Sequence, residues 1–174
     1  MDHADHVNLI RAGVEGAGST WADMGAGWGA FTLALADILG PAGEVHAVDR
    51  DAGALRENAR VMRARYPQVS VTYHHADFTF PLELPLLDGI VMANSLHFQV
   101  DQAAVVQQLR GYLVPGGRFV IVEYSLERGN FAVPHPVPYS TWEKLARGAG
   151  FEHTQKLAWR PSRFLHEIYS AVSW

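Results

Sequence analysis

Short apolar runs alternate along the chain with stretches whose apolar residues recur every three or four positions. The first pattern predicts strands and the second amphipathic helices. Strands are predicted at Thr20–Met24, Glu44–Asp49, Val69–Tyr73, Gly89–Ala93 and Arg118–Tyr124, with a closing pair at Glu152–Trp159 and Phe164–Ser173. Gly89–Ala93 is nearly continuous in apolar residues, as expected of a strand covered on both faces. Helices are predicted at Asp2–Val14, Trp28–Leu39, Ala52–Arg65, Gln102–Leu113 and Tyr139–Ala149. In Trp28–Leu39 the residues Phe31, Leu35, Ile38 and Leu39 fall at helical spacing. Breaks at Gly16-Ala17-Gly18, Gly40-Pro41, Tyr66-Pro67, Pro115-Gly116-Gly117 and Gly150 separate these elements, and Arg160-Pro161-Ser162 joins the final two strands. Strand–helix alternation of this kind predicts an α/β, doubly wound sheet with helices on both faces. The terminal hairpin adds one antiparallel strand. No repeat, low-complexity tract or linker interrupts the pattern, so residues 1–174 are expected to form one domain.

Composition narrows the function classes. Hydrophobic residues make up 48% of the 174, enough for a real core. The formal net charge is -4, and no run of Lys or Arg occurs, which argues against a nucleic-acid partner. The absence of Cys excludes disulfides, thiolate metal sites and Cys nucleophiles. Apolar runs are too short to span a membrane, and the acidic start MDHADHVNLI lacks the basic lead of a signal peptide. No membrane and a cytoplasmic location are the expectation.

The most informative local pattern is WADMGAGWGAFT, Trp21–Thr32. Gly25, Gly27 and Gly29 sit between a strand and a helix, where bare backbone admits a ligand and the helix offers free N–H groups. A dinucleotide enzyme would place its pyrophosphate there with the spacing G-x-G-x-x-G. Here the spacing is G-x-G-x-G, preceded by Asp23, a carboxylate that repels phosphate and suits a cationic ammonium. An ordinary tight strand–helix turn is the alternative.

Two further acids extend the pattern. Asp49 closes the second strand, beside the glycine turn in this topology, where a carboxylate can accept from both ribose hydroxyls. It could instead cap the next helix, although Asp51 is available for that task. Asp77 follows the third strand in HHADF and can accept from an adenine amino group, with Phe78 nearby; it could also simply form a turn.

With these residues in place the chain resembles the class I S-adenosylmethionine-dependent methyltransferases, and among them the small methyltransferase-domain group that includes quinone-ring enzymes. The resemblance runs from about Val7 to the C-terminus. It is carried by Asp23-Met24-Gly25-Ala26-Gly27-Trp28-Gly29, by Gly40–Asp49, by Ala76-Asp77-Phe78, by Leu87–Phe98 and by Leu113–Arg118. It implies a Rossmann-like sheet of seven strands in the order 3-2-1-4-5-7-6, with strand seven antiparallel. It implies S-adenosylmethionine as cofactor and S-adenosylhomocysteine as product. Gly25 and Gly27 would then lay backbone around the methionine end with Asn94, whose contribution is mostly its backbone carbonyl; Ala26 and Trp28 would also contact the cofactor, Trp28 by narrowing the pocket or covering it. Asp49 would hold the ribose, Arg50 would lie against the adenine, and Asp77 with the Phe78 N–H would read its edge. Three features depart from the group: Trp28 in place of a small residue, Arg50 in place of an apolar one, and a short segment before the first motif, which leaves the usual N-terminal lid mostly missing.

Methyl transfer from a sulfonium asks the protein chiefly for alignment and a dry pocket. Candidates on the acceptor side are Asn94, Ser95 and His97 after the fourth strand, and Tyr124 and Ser125 after the fifth. His97 is the obvious general base, with a ring suited to titrate near neutrality, and Tyr124 could orient an acceptor; each could equally be a wall. Arg160 and Arg163 could meet an anionic substrate or be solvated loop charges. His74 and His75 point to opposite strand faces and are not expected to share a metal. Asn94-Ser95-Leu96-His97 lacks the Asn-Pro-Pro-Tyr type clamp of nucleic-acid amino-methyltransferases, so a small-molecule acceptor is expected. The Pro-rich stretch Gly129–Pro138 reads as a substrate wall or a dimer contact, in a monomer or homodimer. Two other functions fit less well: a nicotinamide-dependent oxidoreductase, and a non-catalytic cofactor-binding subunit of a partner methyltransferase.

Overall fold

The computed structural model describes residues 1–162 and 166–174. The elements follow as α1 (His3–Val14), β1 (Thr20–Met24), α2 (Ala30–Leu39), β2 (Glu44–Asp49), α3 (Ala52–Arg65), β3 (Ser70–His75), β4 (Leu87–Ala93), α4 (Gln102–Arg110), β5 (Leu113–Tyr124), α5 (Tyr139–Gly148), β6 (Thr154–Ser162) and β7 (His166–Ser173). The strands form one sheet in the order β3-β2-β1-β4-β5-β7-β6. β1 to β5 run parallel, while β7 is antiparallel to β5 and β6.

Local chemistry starts the helices. Asp2 and Asp5 form a reciprocal capping box at α1, Asp51 Oδ1 accepts the Gly53 and Ala54 N–H groups at α3, and Asp101 Oδ1 accepts the Ala104 N–H at α4. These bonds satisfy N–H groups that have no partner within the helix. Period-two burial then divides the core between the two sheet faces. Trp21, Val91 and Val120 pack with Ile10 of α1 and Phe31 of α2. Ala22, Met92 and Phe119 pack with Val106 of α4 and Trp142 of α5. Helices on both faces leave only the sheet's ends open to a ligand, and in such folds the site lies at the carboxyl ends, where strand order reverses. That reversal falls between β1 and β4.

The structure moves several predicted boundaries. α2 begins at Ala30, not Trp28, because Gly29 takes φ 92 as its N-cap, a conformation no helix continues through. α4 ends at Arg110, not Leu113. Leu113 already pairs with Leu87, and the register then jumps to Gly89 opposite Arg118, so Pro115-Gly116-Gly117 is an irregularity inside β5 and not the stop of a helix. β3 continues to His75, and β6 begins at Thr154. Residues 164 and 165 of the predicted last strand lie outside the described residues, as does Arg163. Among the described residues no helix is long and apolar enough to cross a membrane.

Candidate functional site

A cleft opens at the carboxyl ends of β1 to β4. The glycine turn forms its floor. Gly25 and Ala26 donate their N–H groups to Val48 O at 2.9 and 3.0 Å, which draws the turn toward the end of β2. Gly25 has φ 77, and a Cβ there would stand 2.6 Å from Ser95 Cβ, so side chains are excluded twice over. Asp49, the last residue of β2, and Arg50 after it line the cleft. The Asp49 carboxylate accepts the Gly27 N–H at 2.7 Å through Oδ2 and the Asp51 N–H at 2.8 Å through Oδ1. Asp51, not Asp49, caps α3. Each Asp49 oxygen therefore keeps a lone pair for a hydroxyl donor from the cleft.

After β3, Ala76, Asp77 and Phe78 form the next wall. Asp77 Oδ1 accepts the Thr79 N–H at 2.9 Å and the Thr79 hydroxyl at 2.7 Å. One oxygen thus builds a turn and the other is left to the cleft. The Thr79 N–H holds this carboxyl below its usual range, and the nearby Arg50 charge adds to the effect. The last wall comes from the segment after β4, where Asn94, Ser95, Phe98 and Gln99 line the cleft. Asn94 has φ 51, and its buried Oδ1 has no hydrogen-bond partner among the described residues. Ser95 donates its hydroxyl to Met24 O at 2.9 Å and so seats the segment on the glycine turn.

Asp23 lies beneath this floor. It is 1% exposed, does not line the cleft, and accepts the Thr32 hydroxyl at 2.7 Å, while Thr32 accepts from Asn58 Nδ2. Burial pushes its carboxyl up to about 7; the Thr32 hydroxyl opposes that shift and the Asp49 charge adds to it. Ala26 is buried against Ala47 and Leu55, and Trp28 is 71% exposed; neither lines the cleft.

The acceptor-side candidates are less accessible than their order in the chain suggests. His97 is 2% exposed, with Nδ1 2.6 Å from Glu123 Oε2, so its ring lies behind the wall that its neighbours form. Tyr124 is half-buried, 6.4 Å from the His97 ring between centroids, and burial raises its hydroxyl above the usual value. Arg160 is paired with Asp5 at 3.1 Å, on the α1 side, instead of standing free for a substrate. His74 meets His46 at 3.0 Å, whereas His75 reaches Arg50 O at 3.1 Å, so the two adjacent rings diverge. Sequence reasoning missed Ala76, Phe98 and Gln99 as cleft walls, and it missed Glu123. The one available clue to Glu123 was an acid ending an apolar strand.

The family model described as "Methyltransferase domain" matches residues 22–117. An uncharacterized methyltransferase of Mycobacterium tuberculosis H37Rv is 29% identical over 153 residues, covering 86% of this chain and 74% of that protein. A 2-phytyl-1,4-naphtoquinone methyltransferase of Trichormus variabilis is 30% identical over 108 residues, covering 62% of this chain and 47% of that protein. Among solved structures, the N-terminal domain of EvdMO1 with SAH bound superposes with a TM-score of 0.76 at 18% identity, covering 99% of this chain and 81% of that one.

Proposed function

Since the chain belongs to the methyltransferase-domain family of class I S-adenosylmethionine-dependent methyltransferases, we propose that it transfers a methyl group from S-adenosylmethionine to a small-molecule acceptor and releases S-adenosylhomocysteine. The observation that carries this reading is that Gly25 of the glycine turn, Asp49 and Asp77-Phe78, far apart in the chain, open onto one cleft.

The residues present fit that cofactor. Asp49 has lone pairs left for ribose hydroxyls, and Asp77 keeps one oxygen for an amino group. Arg50 and Phe78 flank the space an adenine would take. The orphaned Asn94 Oδ1 marks the methionine end as polar and incompletely satisfied. Asp23 acts from below: a cationic ammonium over the turn favours the ionised carboxyl, which burial disfavours.

When bound, the cofactor supplies an electrophilic methyl on a cationic sulfonium, and that charge disappears on transfer. The chain has then to hold the acceptor in line and keep water out. Phe98, on the wall nearest the acceptor-side candidates, offers an apolar face for this purpose. The acceptor loses a proton as it gains the methyl; His97 and Tyr124 remain the titratable candidates, His97 only after its cover moves. The groups assigned to the cofactor all come from one chain, so a monomer is competent, and a homodimer is compatible. The quinone-ring relative makes naphthoquinols the first acceptors to try.

Calorimetric titration with S-adenosylhomocysteine and with NAD, beside an Asp49→Ala variant, tests the reading. Micromolar binding of the first ligand alone, weakened at least about tenfold by the substitution, is expected. A folded wild type that binds NAD, or neither ligand, overturns it.

A further inference from the structure

β5 is apolar from Phe119 to Val122 and then places a carboxylate, Glu123, with 0% of its surface exposed. A buried ionisable group is costly unless its partners are well placed. Among the described residues, Glu123 hydrogen-bonds with His97 alone. Its Oε2 lies 2.6 Å from His97 Nδ1, and its Oε1 accepts the His97 backbone N–H at 3.2 Å. The ring of His97, through Nδ1, and its backbone N–H are thereby both held by one carboxyl group on β5.

His97 is the centre of the segment that walls the cleft. Asn94, Ser95, Phe98 and Gln99 flank it, and its ring packs tilted against Phe98 with the centroids 4.3 Å apart. Its carbonyl accepts the His135 N–H at 3.0 Å, and His135 O accepts from Gln102 Nε2 at 2.8 Å. His97 thus joins β5, the cleft wall and the Pro-rich stretch after β5, and His135 of that stretch continues the link to the start of α4. The wall needs such a hold, since Asn94 sits in the left-handed region with an unsatisfied Oδ1.

We propose that Glu123 is a positioning residue for methyl transfer: acting through His97, it sets the Asn94–Gln99 wall and ties the Pro-rich 129–138 stretch to it. The proposal rests on the methyltransferase reading. Stability alone does not call for the pair, because apolar replacements of similar volume are commonly as stable or more so. Alignment does call for it, since a displacement of about 1 Å can cost on the order of a hundredfold in rate.

The test uses S-adenosylhomocysteine as probe, with calorimetry and peptide-level hydrogen exchange on the full chain. Glu123→Gln removes one of the two acceptors; it should unfold cooperatively, bind the probe about tenfold more weakly, and exchange faster in peptides around residues 97 and 135. His97→Asn keeps a polar group near the Nδ1 position and should retain binding to within about threefold of wild type. Unchanged binding and exchange in Glu123→Gln overturn the proposal. So does His97→Asn binding as poorly as Glu123→Gln, because the imidazole itself would then be what matters. If Glu123→Gln does not fold, H97L/E123L leaves no buried charge and gives the same readout: weakened binding supports positioning, wild-type binding sinks it. A wild type that does not bind the probe overturns the methyltransferase reading and this proposal with it.

Discussion

At the scale of single residues, charge and burial pull in opposite directions around the glycine turn. Asp49 keeps its carboxylate at the cleft by accepting two backbone N–H groups, whereas Asp23 is shut beneath the floor with its carboxyl raised to about 7 from 3.8. A raised carboxyl keeps its proton in the folded state over pH values where the unfolded chain has lost it. The folded state then binds more protons, so this group's contribution to stability falls as pH rises from about 4 to about 7 and stays low above that. The penalty reaches at most about 4 kcal/mol. Asp23→Asn removes the titration and retains an acceptor for Thr32. Thermal unfolding should show the variant gaining on wild type between pH 5 and pH 8, with little difference near pH 4; a gap independent of pH would falsify the assignment. Asp23 was legible in the sequence as part of the glycine motif, but its position below the cleft was not, since strand periodicity does not say which helix covers a given face. His97 and Glu123 went unread as a pair for the same reason: they lie on different elements, 26 positions apart.

At the scale of elements, the helices on the face away from the glycine turn serve the fold more than the site. α5 buries Trp142 completely, 5.2 Å from the Phe119 ring between centroids, and the indole N–H has no partner among the described residues. Trp142→Ala should cost about 3–5 kcal/mol through a cavity, while Trp142→Phe should cost well under half as much, because no hydrogen bond is lost. Denaturant unfolding checks the two values, and calorimetry on the folded variants should give an affinity for S-adenosylhomocysteine within about twofold of wild type. A large affinity loss in Trp142→Phe would place α5 in the site's support. Element existence was legible from periodicity, and β1, β2 and α3 stand at their predicted bounds. Two of the boundary errors fell where one glycine or a register shift decided the boundary, at Gly29 and in the Pro115-Gly116-Gly117 stretch. Those positions look alike in sequence whether they end a helix or bend a strand.

At the scale of the whole molecule, a cleft built from four strand ends couples ligand binding to global stability. Excess ligand at 100 times its dissociation constant adds about 2.7 kcal/mol. For a domain of this size that raises the melting temperature by roughly 5–10 °C. S-adenosylhomocysteine should produce this shift in wild type and much less of it in Asp49→Ala, with NAD inert in both; a scanning thermal assay decides it. Equal shifts in wild type and variant would move the ribose away from Asp49.

The sequence by itself determined the order of strands and helices, the glycine turn and the acids that follow β2 and β3. Local periodicity, turn residues and caps act over a few positions, and these features need nothing more. It also carried the resemblance that leads to the cofactor. Only the tertiary structure decided which of those residues face the cleft. It buried Asp23 and His97, exposed Trp28, turned Arg160 to Asp5 and brought Glu123 to His97. Each of those outcomes depends on what packs against a side chain from elsewhere in the chain, and close packing, not local propensity, selects that neighbour.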